Sequence, residues 1–220
     1  MKNLWKMTMT NNLKADFKLI SPEAEILNKP LPLFEDKMLP EGFTRTKVAE
    51  DLFVAMKQFG GIGLSANQVG LPYRVFIMGG HKDMAEGKAW ACWNPEILET
   101  SDEDIELMEG CLTYPLLFLK IKRPRGCKVK YEDNEGIEHV EEFDHMPSRV
   151  FQHEFDHMNG TDFTKLVSKL KLDMAKKKVQ KIYKQEKLKA PKTVQLAKKI
   201  KRDIEEKKTG LIKPNTDIIT

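Results

Sequence analysis

The stretch that decides the fold is PSRVFQHEFDHMNG, residues 147–160. Pro147 suits the first turn of a helix, and Gly160 suits the end of one. Between them the apolar residues recur at the spacing of one helical face. These residues are Val150, Phe151, Phe155 and Met158. The pattern therefore predicts a helix whose apolar stripe lies in the core of the protein.

This helix also carries His153, Glu154 and His157, which form an H-E-x-x-H pattern. Histidines four residues apart project from one helical face about 6 Å from each other, so both imidazoles can reach one metal ion. Glu154 lies where it can exchange a proton with a water molecule activated there, as in metal-dependent hydrolases. The alternative is a pair of histidines satisfied inside a core helix. Polar groups on a buried helix need partners, which favours the metal interpretation.

Two histidines do not complete a metal site, so a third ligand must come from elsewhere. A metzincin protease would place a third His at position 163, where this chain has Phe163. A thermolysin-type protease would use a later Glu, and the later glutamates of this chain lie in a Lys-rich segment. They are Glu186, Glu205 and Glu206. Cys111 is the remaining candidate, because a metal would hold it as a thiolate and leave one coordination position open.

Around the central helix the sequence predicts one further helix and several short strands. Apolar residues from Val48 to Phe59 recur at helical spacing, Thr44 suits the N-cap, and the pair Gly60-Gly61 suits the end. Short stretches that alternate apolar with polar residues predict strands. They are Arg74–Met78, Ala89–Trp93, Leu116–Lys120, Cys127–Tyr131 and Ile137–Phe143. The expected fold class is α+β, with mixed or antiparallel sheets around a central metal-binding H-E-x-x-H helix.

Composition places the chain among globular proteins of a reducing compartment. Its 220 residues are 40% hydrophobic and 32% charged, and its apolar stretches are far shorter than the roughly 20 residues of a membrane span. Three cysteines are an odd number without close pairing, which argues against a disulfide framework. We therefore expect a cytoplasmic protein that does not associate with membranes.

Charge is distributed unevenly along the chain. Residues 1–164 hold 19 Lys and Arg against 27 Asp and Glu, whereas residues 165–213 hold 18 against 5. This asymmetry predicts a catalytic domain over residues 1–165 and a basic, helical, Lys-rich arm over residues 166–220. A basic arm favours a polyanionic partner, since phosphate contacts release counterions. The alternative is a solvated helix that only improves solubility.

Three separated segments together resemble the peptide deformylase family, in the order and roughly the spacing of that family. They are GIGLSANQVG at 61–70, EGCLTYP at 109–115 and QHEFDHMNG at 152–160. The resemblance covers about residues 20–165. Ser65 stands where the family usually has Ala, and Thr113 where Ser is usual. A phosphate-binding role for the glycine-rich segment is disfavoured, because a dinucleotide fingerprint follows a strand and opens a helix.

The resemblance implies a hydrolase that removes the N-formyl group from the initiator methionine of new polypeptides and releases formate. It implies one divalent metal held by Cys111, His153 and His157, with Fe²⁺ as the native ion. The same donors also suit Zn²⁺, Ni²⁺ or Co²⁺. The alternatives from other classes are an H-E-x-x-H metallopeptidase and a non-catalytic RNA-binding or ribosome-binding protein with a structural metal.

The resemblance also implies roles for individual residues. Glu154 would act as general base and then general acid. The side-chain amide of Gln68 and the backbone N–H of Leu112 would stabilise the oxyanion. The candidate substrate-binding residues by family position are Ile62, Gly63 and Val150, with Met146 as a further candidate. In some relatives a C-terminal helix contacts the ribosome, so ribosomal RNA is the hypothesised partner of the basic arm.

Overall fold

The computed structural model of the chain describes residues 17–82 and 84–185. The chain divides into two compact units, Met1–Leu172 and Asp173–Thr220. The part of the predicted helical arm that follows residue 185 lies outside the described residues. The larger unit contains the two predicted helices, two antiparallel sheets and several short 3₁₀ turns.

The strands of the larger unit form one five-stranded and one two-stranded sheet. The bounds are β1 Gly63–Ser65, β2 Val75–Gly79, β3 Ala89–Thr100, β4 Asp104–Cys111, β5 Tyr114–Pro124, β6 Gly126–Glu132 and β7 Glu138–Asp144. The five-stranded sheet has the order β1-β2-β3-β6-β7, and β4 pairs with β5 in the second sheet. All these pairings are antiparallel. The predicted α+β class with antiparallel sheets is therefore confirmed.

Helix α1 covers Arg45–Gln58 and begins as its sequence predicts. The Thr44 hydroxyl accepts a hydrogen bond from the backbone N–H of Lys47 at 3.1 Å, which satisfies one of the free donors of the first turn. At the other end Gly60 has a φ of 73°, a conformation that glycine adopts without strain. The glycine-rich segment 61–70 therefore follows directly after the end of this helix.

Helix α2 covers His145–Met158 and starts two residues before Pro147. Its first turn is capped by the Asp144 carboxylate, which accepts a hydrogen bond from the His145 N–H at 2.9 Å. Phe151 and Met158 are fully buried, as the apolar stripe predicts. The helix packs against β1, β2, β6 and β7, so its histidines lie inside the protein.

The sequence does not predict two of the strands, and other strands are longer than predicted. Neither β1 nor β4 is predicted, and β5 begins two residues before Leu116 and ends four residues after Lys120. The β4–β5 hairpin is the element that carries Cys111, at the end of β4.

A further helix, α3, covers residues 169–185, and most of its side chains are exposed. Within the described ranges, no helix has the length and apolar character needed to cross a bilayer.

Candidate metal centre

The three predicted metal ligands meet at one point between β4 and α2. Cys111, His153 and His157 each offer one ligand atom, and these atoms lie within 4.8 Å of one another. The Cys111 Sγ lies 3.3 Å from the His157 Nε2. Both histidines, on α2, are buried, and Cys111, at the end of β4, is partly buried.

This spacing fits a metal ion. A tetrahedral metal with a sulfur at 2.3 Å and a nitrogen at 2.1 Å would hold those two atoms about 3.6 Å apart. The separation of Cys111 Sγ and His157 Nε2 lies close to that value. One thiolate and two imidazoles form a donor set suited to a divalent transition metal.

Glu109, for which the sequence patterns predict no role, orients one of these ligands. Its Oε2 lies 3.0 Å from the His153 Nδ1, which leaves the Nε2 of that ring as the nitrogen available to a metal. Arg123 donates to both carboxylate oxygens of Glu109 at 2.7 and 3.1 Å, and Arg149 donates to Oε1 at 2.8 Å. Glu109 stands two residues before Cys111 in the segment EGCLTYP, and this proximity to a predicted ligand is a signal that could have identified it.

The buried charges of this cluster shift the protonation of its members. Burial alone would raise the pKa of Glu109, but hydrogen bonds with His153 and Arg123 lower it to about 2. Burial would lower the pKa of His153, yet its hydrogen bonds with Cys111 and Glu109 raise it to about 10. Burial and the neighbouring His153 lower the pKa of His157, which favours the neutral form that binds metals.

Glu154 lies beside the three ligands on the buried face of α2. Burial raises its pKa, while the charge of His153 and a hydrogen bond from Ser65 act in the opposite direction. That bond runs from the Ser65 Oγ to the Glu154 Oε2 at 2.7 Å. Gly63 packs against the other side, since a Cβ there would overlap the Glu154 carboxylate and lie 2.9 Å from Val150. The carboxylate is thus held between Ser65 and Gly63.

The amide of Gln68 is oriented by three neighbours. Its Oε1 accepts a hydrogen bond from the Ser65 N–H at 2.9 Å, so its nitrogen must face the other way. Its Nε2 donates to the Thr113 Oγ1 at 3.0 Å and lies 3.4 Å from the Cys111 Sγ. The N–H groups of Gln68 are therefore held next to the metal ligands.

A cavity of about 630 Å³ opens onto this cluster. Gln68, Leu112 and Glu154 line it together with the ligands Cys111 and His153. The candidate substrate-binding residues line the same cavity, and they are Ile62, Gly63, Val150 and Met146. The structure thus brings every predicted site residue to one place, and His157 completes the ligand cluster.

Comparisons with known proteins identify the same family that the three sequence segments resemble. The sequence profile described as Polypeptide deformylase matches residues 24–173. A peptide deformylase of Bartonella quintana is 36% identical over 161 residues, which cover 70% of this chain and 92% of the relative. One of Thermotoga sp. (strain RQ2) is 38% identical over 154 residues, with 70% and 87% covered.

Solved structures are similar as well. The crystal structure of a peptide deformylase from Ehrlichia chaffeensis in complex with actinonin has a TM-score of 0.65 and 33% identity, and the match covers 75% of this chain and 96% of that one. The structure of a peptide deformylase from Plasmodium falciparum also has a TM-score of 0.65, with 28% identity and coverage of 78% and 98%.

Proposed function

This chain belongs to the polypeptide deformylase family, and on that premise we propose how its residues remove the formyl group from the N-terminus of new polypeptides. The reaction is hydrolysis of a formamide bond, which releases formate and a free α-amine. The observation that supports this assignment most directly is the convergence of Cys111, His153 and His157 beside the buried carboxylate of Glu154.

Cys111, His153 and His157 hold one divalent metal ion in this proposal. Fe²⁺ is the native ion that the family resemblance implies, and Zn²⁺, Ni²⁺ and Co²⁺ suit the same donors. When bound, such an ion activates water and polarises the formyl carbonyl. Glu109 keeps the His153 ring in the orientation and tautomer that this requires, since it engages Nδ1.

Glu154 moves the proton. Its carboxylate accepts a proton from the attacking water and passes it to the departing amine nitrogen, first as general base and then as general acid. The burial that raises its pKa brings that pKa closer to neutral pH, where both transfers are effective. Ser65 keeps the carboxylate aimed at the cavity through its hydrogen bond to Oε2.

Gln68 and Leu112 stabilise the negative charge that develops on the formyl oxygen. The Gln68 amide is already oriented by Ser65 and Thr113, so its N–H groups need no rearrangement during the reaction. The backbone N–H of Leu112 is the second donor, because Leu112 immediately follows Cys111 and lines the cavity.

The methionine side chain occupies the apolar part of the cavity near Ile62 and Val150, with Met146 at its edge. Gly63 lets its own segment lie directly against the Glu154 carboxylate, because a Cβ there would overlap that carboxylate. An extended peptide can then pair with the backbone of this segment, a common mode of peptide recognition.

Formate release from formyl-Met peptides tests the function, with protein purified without oxygen and its metal content measured on the same sample. We expect formate in amounts that follow metal content, and Fe²⁺ as the main ion. Unformylated peptides serve as the control: internal cleavage would support the metallopeptidase alternative. A tightly bound metal with no formate release would support a structural role in an RNA-binding protein.

The basic arm, residues 166–220, is proposed to be separate in function from the catalytic domain, residues 1–165. In its described part, the lysines at 176–178 are exposed on α3. Exposed lysines attract phosphates, which supports ribosomal RNA as the partner and would bring the enzyme to emerging chains. The cytoplasmic location expected from the sequence is part of the same proposal.

A further inference from the structure

Asn67 precedes Gln68 in a short 3₁₀ turn, and both side chains are buried. The two adjacent amides contact different metal ligands. The Gln68 Nε2 lies 3.4 Å from the Cys111 Sγ, whereas the Asn67 Nδ2 donates to the backbone oxygen of His157 at 2.7 Å. The Asn67 Nδ2 also lies 3.5 Å from the backbone oxygen of Ile26. Because both of these neighbours are acceptors, the amide cannot be reversed, and its Oδ1 points elsewhere.

The turn that carries Asn67 is held at both ends. It covers Ala66–Val69, and just before it the Ser65 N–H donates to the side chain of Gln68 at 2.9 Å. At its end the Gly70 N–H donates to the backbone oxygen of Asn67 at 3.1 Å, and Gly70 has a φ of 83°, which glycine adopts without strain. The Asn67 side chain therefore contacts α2 from a fixed position.

Two buried polar atoms without a hydrogen-bond partner belong to Asn67 and His157. Within the described part of the chain, three buried side-chain nitrogen or oxygen atoms have no partner, and they are Asn67 Oδ1, His157 Nδ1 and Arg149 Nε. An unpaired polar atom in the interior costs about 1–3 kcal/mol, so each one calls for an explanation. The amide oxygen is an acceptor, and a ring nitrogen that carries a proton is a donor. Two of the three atoms thus have complementary chemistry on residues that already touch.

The geometry of the ligand cluster makes Nδ1 the ring nitrogen of His157 that must donate. The His157 Nε2 lies 3.3 Å from the Cys111 Sγ, so Nε2 faces the metal site. A neutral imidazole that binds a metal through Nε2 carries its proton on Nδ1, and ligand histidines usually donate that proton to an oxygen. For His153 this oxygen belongs to Glu109. For His157 the described residues supply no direct acceptor.

We propose that Asn67 is a positioning residue for the metal ligand His157, and that one buried water links the two by accepting from Nδ1 and donating to Oδ1. A single water supplies both the acceptor and the donor that these atoms lack, which is the usual role of buried water. The link fixes the His157 ring with Nε2 free for the metal, as Glu109 does for His153. The inference rests on the proposed function, because it takes His157 to be a metal ligand.

Crystallography and NMR of the Zn²⁺-loaded full chain test the link without any substitution. We expect an ordered water within about 3.2 Å of both Asn67 Oδ1 and His157 Nδ1. In protein with ¹⁵N-labelled histidine we expect two ring N–H signals that exchange slowly with solvent, from His153 and His157. A crystal structure with no water between Asn67 and His157, or a single slow signal, would overturn the proposal.

Two substitutions of Asn67 separate its acceptor oxygen from its donor nitrogen. Asn67→Leu removes both, so it should lose one slow signal and weaken Zn²⁺ binding by about 10- to 100-fold in chelator competition. Asn67→Asp keeps an acceptor oxygen, so it should keep both signals and bind Zn²⁺ about tenfold more tightly than Asn67→Leu. Asn28→Leu is the control, because the Asn28 amide also donates to backbone oxygens, those of Pro22 and Ala24, but in an exposed turn. It should leave signals and affinity unchanged.

The remaining outcomes each decide a different point. Equal loss of affinity in Asn67→Asp and Asn67→Leu would assign the effect to the bond with the His157 backbone oxygen and overturn the proposal. If Asn67→Leu does not fold, the native crystal structure and spectrum still decide. Zn²⁺ bound without His157 would overturn both this inference and the assigned ligand set. Absence of formate release with the water in place would overturn the proposed function alone.

Discussion

The carboxylate of Glu109 lies 3.0 Å from the Nδ1 of His153, and this contact joins the strand that supplies Cys111 to the helix that supplies the two histidines. Arg123 extends the link, because it also donates to Asp156 on α2 at 2.7 Å. The metal site is therefore held by a buried network of charges as well as by its three ligands. Removing one member of such a network leaves the others without partners in a region of low dielectric.

Glu109→Gln should weaken metal binding by about 10- to 100-fold, the effect seen when a residue that orients a ligand is replaced. It should also lower the free energy of unfolding by about 3–5 kcal/mol, because Arg149 keeps its buried charge without a carboxylate and Arg123 keeps only its contact with Asp156. Chelator competition and urea unfolding measure the two effects. Glu106→Gln is the control, since Glu106 is half-exposed on the same strand. Unchanged metal affinity in Glu109→Gln would contradict the orienting role.

The low pKa of Glu109 predicts how this stability depends on pH. Its folded pKa of about 2 lies below the ordinary value of 4.5, so the folded state favours the ionised form. The resulting stabilisation is complete above about pH 5 and is lost as the pH falls towards about 2. The difference in the free energy of unfolding between the native chain and Glu109→Gln should therefore become smaller as the pH falls from about 5 towards about 2.

Glu154→Ala should retain the metal and lose turnover. The ligand atoms belong to Cys111, His153 and His157, whereas Glu154 acts on protons, so metal content should not change. The loss of a general base lowers kcat by about 10²- to 10⁴-fold. Formate release and metal analysis on the same preparation check this, and Cys111→Ala should lose both metal and activity. Full turnover in Glu154→Ala would refute the assignment.

The sequence predicted the site more completely than it predicted the sheets. Helix α2 combines a strong apolar period with a metal-binding pattern, so local spacing alone placed His153 and His157 correctly on one buried face. The three-residue strand β1, Gly63–Ser65, is too short to show a period. Strand β4, Asp104–Cys111, contains several glutamates, which favour a solvent-exposed segment over a strand of the core.

Long-range contacts explain what local patterns missed. Glu109 is buried only because Arg123, on the paired strand, and Arg149, on α2, neutralise it. No feature within β4 reveals those partners, since they depend on the tertiary fold. Ser65 is similar: its contact with Glu154 joins residues 89 positions apart. The motifs at 61–70 and 109–115 thus contain the supporting residues Ser65 and Glu109 as well as predicted site residues. The motifs do not show what Ser65 and Glu109 contact, because those contacts are made across the fold.

Ser65→Ala should shift the pH dependence of turnover. The Ser65 hydroxyl donates to Glu154 and so stabilises the ionised form, which is the form that accepts a proton. Without this bond the pKa of Glu154 rises further, so the acid limb of the pH profile of kcat should move to higher pH. Ser148→Ala is the matched control, because Ser148 is equally buried on α2 but contacts Cys127 and Gln152 instead. An identical acid limb in Ser65→Ala would show that the bond does not tune Glu154.

Replacing the three lysines at 176–178 by Gln should weaken salt-sensitive association with ribosomes and leave turnover of short formyl-Met peptides unchanged. Each lost phosphate contact lowers the slope of log affinity against log salt by up to about one. Sedimentation with ribosomes at several salt concentrations measures the slope. The control replaces three exposed lysines of the body, Lys37, Lys82 and Lys120, and should keep the native slope. Equal slopes for both variants would mean that the arm is a solvated helix.

Gly63→Ala should lower kcat by about a hundredfold while the protein stays folded and keeps its metal. The added methyl group would overlap the Glu154 carboxylate and lie 2.9 Å from Val150, so the carboxylate must move. A displacement of about 1 Å at a catalytic group can reduce the rate by that factor, whereas the overpacking itself costs about 1–3 kcal/mol of stability.

Gly126→Ala is the control, since the atom nearest to a Cβ added at Gly126 is the Phe143 carbonyl oxygen at 3.3 Å. Kinetics with a formyl-Met peptide, thermal unfolding and metal analysis measure the effects on rate, stability and metal content separately. If kcat in Gly63→Ala matched that of Gly126→Ala, the segment at 61–70 would have room to move away from Glu154, and the close packing against the carboxylate would not matter for catalysis.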